Sequence, residues 1–155
     1  MKFKITLKID RKFGDLLPFN YQYEQSAVIY RILAQADTQY SAWLHENGYL
    51  LHERKRFKLF CYSPFIFEKV RPLPEAGCLK IIGERAVWYI SFIPEKSTLE
   101  FIQGVFAHQS FSIGNKKFQV AFDVVGVEAI PMPQLSEEMT FVALSPICVK
   151  LHEDN

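Results

Sequence analysis

The stretch from Leu17 to Tyr62 reads LPFNYQYEQSAVIYRILAQADTQYSAWLHENGYLLHERKRFKLFCY, and it decides the fold of this chain. It contains two helical patterns separated by Asp37, and a lysine-bearing strand pattern follows them. A first helix is predicted from about Tyr21 to Ala36, because aliphatic residues recur there on one side at about 100° per residue. Tyr30 falls about 130° from the centre of that side, so it lies on the flank of the helix.

A second, shorter helix is predicted directly after Asp37, whose side chain suits the N-cap position. Gly48 supplies the left-handed residue that commonly ends a helix. The residues expected to face the core are Tyr40, Trp43 and Leu44. His45 projects away from that side within the last turn of the helix. Tyr30 and His45 are therefore the side chains that the two helices leave away from the core.

The remainder of the chain supplies strands and a third helix. Strands are predicted, from alternating or continuous apolar residues, at Lys2–Ile9, Phe57–Tyr62, Ile66–Val70, Leu79–Ile82, Ala86–Ile93, Phe111–Ile113, Phe118–Val127 and Thr140–Val149. The third helix follows Pro94, with an apolar run formed by Leu99, Ile102, Val105 and Phe106. This order predicts the α+β class, a ferredoxin-like (RRM-like) βαββαβ sandwich whose antiparallel sheet carries the helices on one face.

Length and composition are those of one globular domain. The chain has 155 residues, of which 49% are hydrophobic and 23% are charged. No stretch is apolar enough to span a bilayer, and the first residues, MKFKITLKID, do not resemble a signal peptide, so a cytoplasmic location is predicted. The three cysteines, Cys61, Cys78 and Cys148, are far apart in apolar surroundings, which indicates buried thiols in a reducing compartment.

Several kinds of chemistry lack the residues they need. His45 and His52 are near in sequence, but no cysteine or carboxylate pair accompanies them at metal-ligand spacing, so no metal site is predicted. The glycines are isolated and form no phosphate-binding loop, and there is no nucleophile elbow around a serine. The sequence therefore implies neither a metal nor a cofactor.

General acid–base chemistry is better supported. Tyr30, His45 and Lys58 provide a phenol, an imidazole with a reference pKa of ~6.5 and a fixed cation. That set is sufficient to cleave RNA through its own 2′-hydroxyl, because one group takes the 2′ proton, another protonates the departing 5′ oxygen and the cation stabilises the phosphorane.

Ordinary structural roles remain open for each of these residues. A tyrosine on a helix flank commonly packs against its neighbours, and a histidine near a helix end commonly interacts with the helix dipole. The basic run Arg54, Lys55, Arg56 and Lys58 is typical of a solvated loop, although the aromatic residues around it also suit contacts with nucleic acid. Trp88 and Tyr89 lie in an apolar strand pattern and are expected in the core and on the sheet.

Four ordered segments carry a family resemblance. They are LPFNYQYEQSAVIYRIL at 17–33, WLHENGY at 43–49, FKLFCYS at 57–63 and FVALSPICVK at 141–150. Together they resemble the CRISPR-associated endoribonucleases of the sixth Cas family, which belong to the RAMP superfamily and process CRISPR repeat transcripts. The resemblance implies metal-independent cleavage that leaves a 2′,3′-cyclic phosphate and a 5′-hydroxyl.

The resemblance also implies roles for particular residues. Tyr30 would be the general base, His45 the general acid and Lys58 the transition-state cation. On the hypothesis that the chain acts in this way, the basic residues Arg54, Lys55 and Arg56 contact phosphates of the RNA. The implied partner is CRISPR repeat RNA, and other CRISPR effector subunits and a second copy of the chain are further candidates. Members of the family have two ferredoxin-like domains, so we expect residues 1–140 to form one RAMP domain and residues 141–155 to begin the connection to a second domain absent from this chain.

Two other functions remain open at this point. The first is a non-catalytic RNA-binding or assembly module of a CRISPR complex that retains the fold and these residues. The second is a ferredoxin-like ligand-sensing domain unrelated to RNA, since fold alone does not determine function.

Overall fold

The structure, a computed structural model, describes residues 1–51, 55–131, 134 and 136–140. The strands are β1 (Lys2–Asp10), β2 (Leu16–Pro18), β3 (Tyr49–Leu51), β4 (Lys55–Phe57), β5 (Phe60–Tyr62), β6 (Ile66–Phe67), β7 (Val70–Leu73), β8 (Cys78–Ile81), β9 (Arg85–Phe92), β10 (Ser110–Gly114) and β11 (Gln119–Ile130). The helices are α1 (Gln22–Ala36), α2 (Thr38–Glu46) and α3 (Glu95–Ala107).

The main sheet has the strand order β10-β11-β1-β9-β5, and β6 continues along the same edge of β9 as β5. Every pairing in it is antiparallel. β1 lies at the centre, and its side chains alternate so that one face, formed by Phe3, Ile5, Leu7 and Ile9, is buried. This buried face packs against the helices, as the Phe3 and Phe101 rings show with centroids 6.4 Å apart. The predicted ferredoxin-like fold, with an antiparallel sheet and helices on one face, is confirmed.

α1 packs against α3 at unusually close range. The predicted apolar side of α1 is confirmed, since Ile29, Ile32 and Leu33 are all buried. A Cβ atom placed on Gly104 of α3 would lie 1.9 Å from the backbone oxygen of Ile32. Only glycine therefore allows the two helices to approach this closely.

The predicted apolar face of α3 is partly wrong. Leu99 and Phe106, expected in the core, are 55% and 64% exposed. The buried residues of this helix are Ser97, Thr98, Phe101, Gly104 and Val105. The contact at Gly104 fixes the rotation of α3, and that rotation turns the two large apolar side chains toward solvent.

The predicted strand Phe57–Tyr62 is divided in two. β4 pairs with β3 in a separate hairpin, whereas β5 joins the main sheet beside β9. Leu59, between them, has φ +55°, a conformation that L-residues rarely adopt and that interrupts an extended strand.

The strands predicted at Ile66–Val70 and Leu79–Ile82 are expected to pair as a hairpin connected by RPLPEAG, and this hairpin forms with shifted arms. β7 pairs with β8, and β2 adds to the other edge of β8 to complete a small three-stranded sheet. Ile66 and Phe67, expected in this hairpin, instead form β6 and pair with β9. The connection ends at Gly77, whose φ of +66° suits glycine.

Trp88 and Tyr89 of β9 lie in the core and on the sheet, as expected. Trp88 is fully buried, and Tyr89 is half-buried on the sheet, with the Lys2 ammonium 5.2 Å from its ring centroid.

Cys78 is buried as expected, but Cys61 is exposed because it points away from the helix-covered face. Cys148 and the expected strand beyond Thr140 lie outside the described residues. Among the residues described, no helix is both long and apolar enough to cross a membrane.

Candidate active site

Two hydrogen bonds hold α2 in place, one at its N-cap and one to the backbone of α1. Asp37 accepts a hydrogen bond from the Tyr40 backbone N–H at 2.8 Å, which confirms it as the N-cap. The Ser41 hydroxyl donates to the backbone oxygen of Tyr30 at 2.8 Å and so fastens α2 to α1. These contacts fix the position of the last turn of α2, which carries His45.

Tyr30 and His45 meet where α1 passes the last turn of α2. Their ring centroids are 5.0 Å apart, and the two ring planes are nearly perpendicular, at 81°. Phe60 of β5 packs edge-on against the other side of Tyr30, with centroids 5.7 Å apart. The phenol is half-buried, whereas the imidazole is exposed to solvent.

Lys58 joins the same group from the break between β4 and β5. Its ammonium donates hydrogen bonds to the backbone oxygens of Leu44 and His45, the last carbonyl groups of α2. A cation at a helix C-terminus interacts favourably with the partial negative charge there. We call Tyr30, His45 and Lys58 the α2-end cluster, and the structure brings all three residues together.

Two backbone features make this arrangement possible. Gly48 follows the end of α2 with φ +68°, which confirms the predicted left-handed residue. A Cβ atom there would lie 2.7 Å from the Phe57 backbone oxygen, so the absent side chain also lets the β4 strand approach the helix end. The positive φ of Leu59 then redirects the chain from β4 to β5 and leaves Lys58 beneath α2.

The surroundings shift the proton affinities of two members of the cluster. Burial, with a smaller contribution from Tyr62, raises the pKa of the Tyr30 phenol above its usual value. Desolvation by burial, together with the nearby Arg56 guanidinium, lowers the pKa of the Lys58 ammonium.

The predicted RNA-contacting run is only partly described. Lys55 and Arg56 are exposed on β4, and the Arg56 guanidinium donates to the Asn47 side-chain oxygen at 2.9 Å. Arg54 and His52 lie outside the described residues. Arg56 therefore lies next to the α2-end cluster, because Asn47 is the C-cap of α2.

The prediction that Trp43 of α2 faces the core is wrong. Tyr40 and Leu44 are buried as expected, but Trp43 is 39% exposed. It stacks on Tyr40 and meets Tyr49 edge-on, with ring centroids 5.8 Å and 5.1 Å away. These two rings cover part of the indole, and the rest of it faces solvent.

Sequence reasoning also missed residues that support the cluster. Ser41 and Phe60 position Tyr30 through a backbone hydrogen bond and a ring contact, and no sequence pattern indicates either role. Gly48 was recognised as a helix end, but its contact with β4 depends on the tertiary fold.

Replacing Asp37 with alanine should lower the melting temperature by several degrees at neutral pH, because the Tyr40 N–H loses its acceptor and Lys96 loses its carboxylate partner at 3.2 Å. The hydrogen bond from Tyr40, and then Lys96, lower the pKa of Asp37 in the folded protein. The stability that the Asp37 carboxylate contributes is therefore fully present at pH values above its pKa in the unfolded chain, ~3.9. It is lost as the pH falls through the lower pKa of the folded protein. Thermal denaturation of both proteins across the acid range measures this.

The matched control is Asp37→Asn, which keeps an N-cap acceptor without the titrating charge. It should retain most of the neutral-pH stability. A melting-temperature difference between wild type and Asp37→Ala that stays constant into acid would contradict the assignment.

Comparison with known proteins gives the fold its class. A solved structure described as a RAMP protein binding different RNA substrates superimposes with a TM-score of 0.67 at 23% identity, covering 88% of this chain and 51% of the other. The fold is therefore the ferredoxin-like fold of RAMP proteins.

The sequence gives the family. Residues 16–122 match the family model described as CRISPR-associated protein Cas6, N-terminal. A Pyrococcus furiosus protein named CRISPR-associated endoribonuclease Cas6 is 27% identical over 141 residues, which are 90% of this chain and 48% of that protein. A Methanocaldococcus jannaschii protein named CRISPR-associated endoribonuclease Cas6 1 is 25% identical over 147 residues, 95% of this chain and 52% of that protein.

This chain belongs to the Cas6 family of CRISPR-associated proteins, as its sequence motifs suggested. It spans about half the length of the curated relatives it matches.

Proposed function

We propose that this chain forms the catalytic half of an endoribonuclease that cleaves CRISPR precursor RNA within its repeats. The observation that carries the proposal is the meeting of a phenol, an imidazole and an ammonium group at one end of α2. The family supports it, since the Pyrococcus furiosus and Methanocaldococcus jannaschii relatives are named endoribonucleases.

In the proposed reaction the RNA supplies its own nucleophile. Tyr30, in its phenolate form, accepts the proton of the 2′-hydroxyl as the 2′ oxygen bonds to the adjacent phosphorus. The bond from phosphorus to the 5′ oxygen breaks, and His45 donates a proton to that oxygen as it leaves. The products are a 2′,3′-cyclic phosphate and a 5′-hydroxyl.

Lys58 is suited to stabilise the charge that develops on the phosphorane. An ammonium group carries three N–H donors, and two of them are directed to the Leu44 and His45 carbonyls. Among the described residues the third donor has no hydrogen-bond partner and is available to a phosphate oxygen, and the two helix contacts hold the cation in place before the substrate arrives.

The binding surface extends beyond the cluster. Lys55 and Arg56 are exposed beside it, and we assign them, with Arg54, to phosphate contacts. Because the chain spans about half of its relatives, we also propose that residues 141–155 begin the connection to a second domain that completes the RNA cleft.

One observation favours a second candidate, a non-catalytic RNA-binding or assembly module. Burial raises the pKa of Tyr30 above a reference value of ~10, which makes the phenol a poor proton acceptor at neutral pH. A domain that only binds RNA needs no such acceptor, and salt-dependent binding without cleavage would identify it.

The test uses a CRISPR repeat RNA labelled at its 5′ end and the full-length protein that carries this chain, in the presence of EDTA. Cleavage at one site, leaving a cyclic phosphate, is expected. Replacing the 2′-hydroxyl at that site with hydrogen should abolish cleavage, since the nucleophile is gone. Cleavage that survives this replacement would contradict the mechanism, and binding without any cleavage would establish the second candidate.

A further inference from the structure

A polar groove lies on the opposite side of α1 from the α2-end cluster. It has a volume of about 190 Å³ and runs between α1 and β10. Its polar lining residues are Arg31, Gln35, His108, Ser110 and Ser112. Among the described residues that line the groove there is no carboxylate, and Arg31 gives the groove a positive charge.

Arg31 is tied to the strand side of this groove by one hydrogen bond. One of its terminal nitrogens donates to the Ser112 backbone oxygen at 3.0 Å. A guanidinium group has five N–H donors in a rigid plane, and among the described residues Arg31 uses one of them, so the others are available to a ligand. The anchored arginine therefore offers a preorganised donor at little conformational cost.

β10 adds backbone donors on the same side. It ends the strand order of the main sheet, so its outer edge faces α1 without a neighbouring strand among the described residues. In an antiparallel strand the N–H and C=O of one residue point to the same side. The Ser112 carbonyl faces Arg31, so the Ser112 N–H also faces the groove.

The groove and the cluster flank the exposed surface of α1. Tyr30 contacts His45 of α2 on one side, while Arg31, the next residue, contacts β10 on the other side. Successive residues differ by about 100° around a helix of about 10 Å diameter. The surface between them carries Ala27, which is small and exposed, and Tyr23, which is 82% exposed.

We propose that this groove binds a phosphodiester group of the RNA strand, a few nucleotides away from the bond at the α2-end cluster, as the strand crosses α1. The assignment rests on the proposed function. Donors from a guanidinium, an imidazole, an amide and the strand edge suit a phosphate oxygen, and contacts to phosphate carry no sequence information.

The test measures the dissociation constant of the full-length protein for two single-stranded RNAs, a CRISPR repeat and an unrelated sequence, over a range of salt concentrations. Arg31→Gln should weaken binding of both RNAs about fivefold. It should also reduce the slope of log affinity against log salt by about 0.7 to 1, because one phosphate contact is lost.

A second variant covers the case in which Arg31→Gln fails to fold. Gln35→Glu places a carboxylate in the groove from an exposed helical position and should weaken binding about fivefold by repelling phosphate. Its matched control is Gln103→Glu, the same change at an exposed position of α3 outside the groove lining, which should leave binding unchanged.

Unchanged affinity and salt slope in both groove variants would overturn this inference and leave the proposed nuclease function intact. Failure of the wild-type protein to bind any RNA would overturn both. Loss of slope in the groove variants, together with normal cleavage by His45→Ala, would support the groove while refuting the catalytic assignment.

Discussion

Replacing His45 with alanine is expected to slow cleavage of repeat RNA by about 10²–10⁴-fold, the usual contribution of a general acid or base. Without the imidazole, no positioned group protonates the 5′ oxygen as it leaves. Single-turnover cleavage of labelled repeat RNA measures the effect directly. Binding of the RNA should change little, because His45 acts on the bond that breaks and phosphate contacts supply most of the affinity.

The fold should tolerate this change. His45 is exposed on α2, and alanine is a good helix former. Glu46→Ala is the matched control, since Glu46 is the next residue, is also exposed and lies outside the cluster. A His45→Ala protein that cleaves as fast as Glu46→Ala would show that His45 is not the acid.

The second large effect concerns stability. Gly104→Ala is expected to destabilise the fold by about 2 kcal/mol, because overpacking a tight contact costs up to ~3 kcal/mol and alanine regains up to ~1 kcal/mol of helix propensity. The added methyl group would lie 1.9 Å from the Ile32 backbone oxygen, so α1 and α3 must separate. The melting temperature should fall by about 4–8 °C.

Gly126→Ala provides the comparison for that measurement. A Cβ atom on Gly126 would come no closer than 3.7 Å to Thr6, an ordinary contact. This variant should therefore melt near the wild-type temperature. Equal melting temperatures for Gly104→Ala and Gly126→Ala would show that the helices do not meet as closely as the structure has them.

Separation of α1 from α3 would also change the geometry of the α2-end cluster. Ile32 lies two residues after Tyr30 on α1, and the Tyr30 backbone oxygen accepts the Ser41 hydroxyl that fastens α2. A shift of α1 therefore moves the phenol and disturbs the anchor of α2 together.

The parts of the fold that follow from local chemistry could be predicted from the sequence. The alternation of β1 identifies a half-buried strand, and Asp37 and Gly48 mark the two ends of α2 because capping depends on residues next to the helix. The projection of Tyr30 and His45 follows from helical period alone. Their proximity does not, since it requires the packing of α1 against α2.

The features that the sequence did not predict depend on contacts between distant segments. Leu59 interrupts an apparently continuous strand, and this break accompanies the contact of Lys58 with the end of α2, a segment distant in sequence. The face of α3 depends on the absence of a side chain at Gly104, and hydrophobic periodicity counts only the side chains that are present. The exposure of Trp43 depends on how its ring packs against Tyr49 of β3, which is a contact between different elements.

The most direct test of the account asks whether His45 protonates the leaving oxygen. A repeat RNA in which sulfur replaces the 5′ oxygen at the cleavage site has a leaving group that departs without a proton, because a thiol has a pKa of only ~8.5. Cleavage rates of wild type and His45→Ala are compared on the oxygen and sulfur substrates. We predict that the His45→Ala defect, 10²-fold or more on the oxygen substrate, falls below about tenfold on the sulfur substrate. An equal defect on both substrates would contradict the assignment of His45 as the general acid.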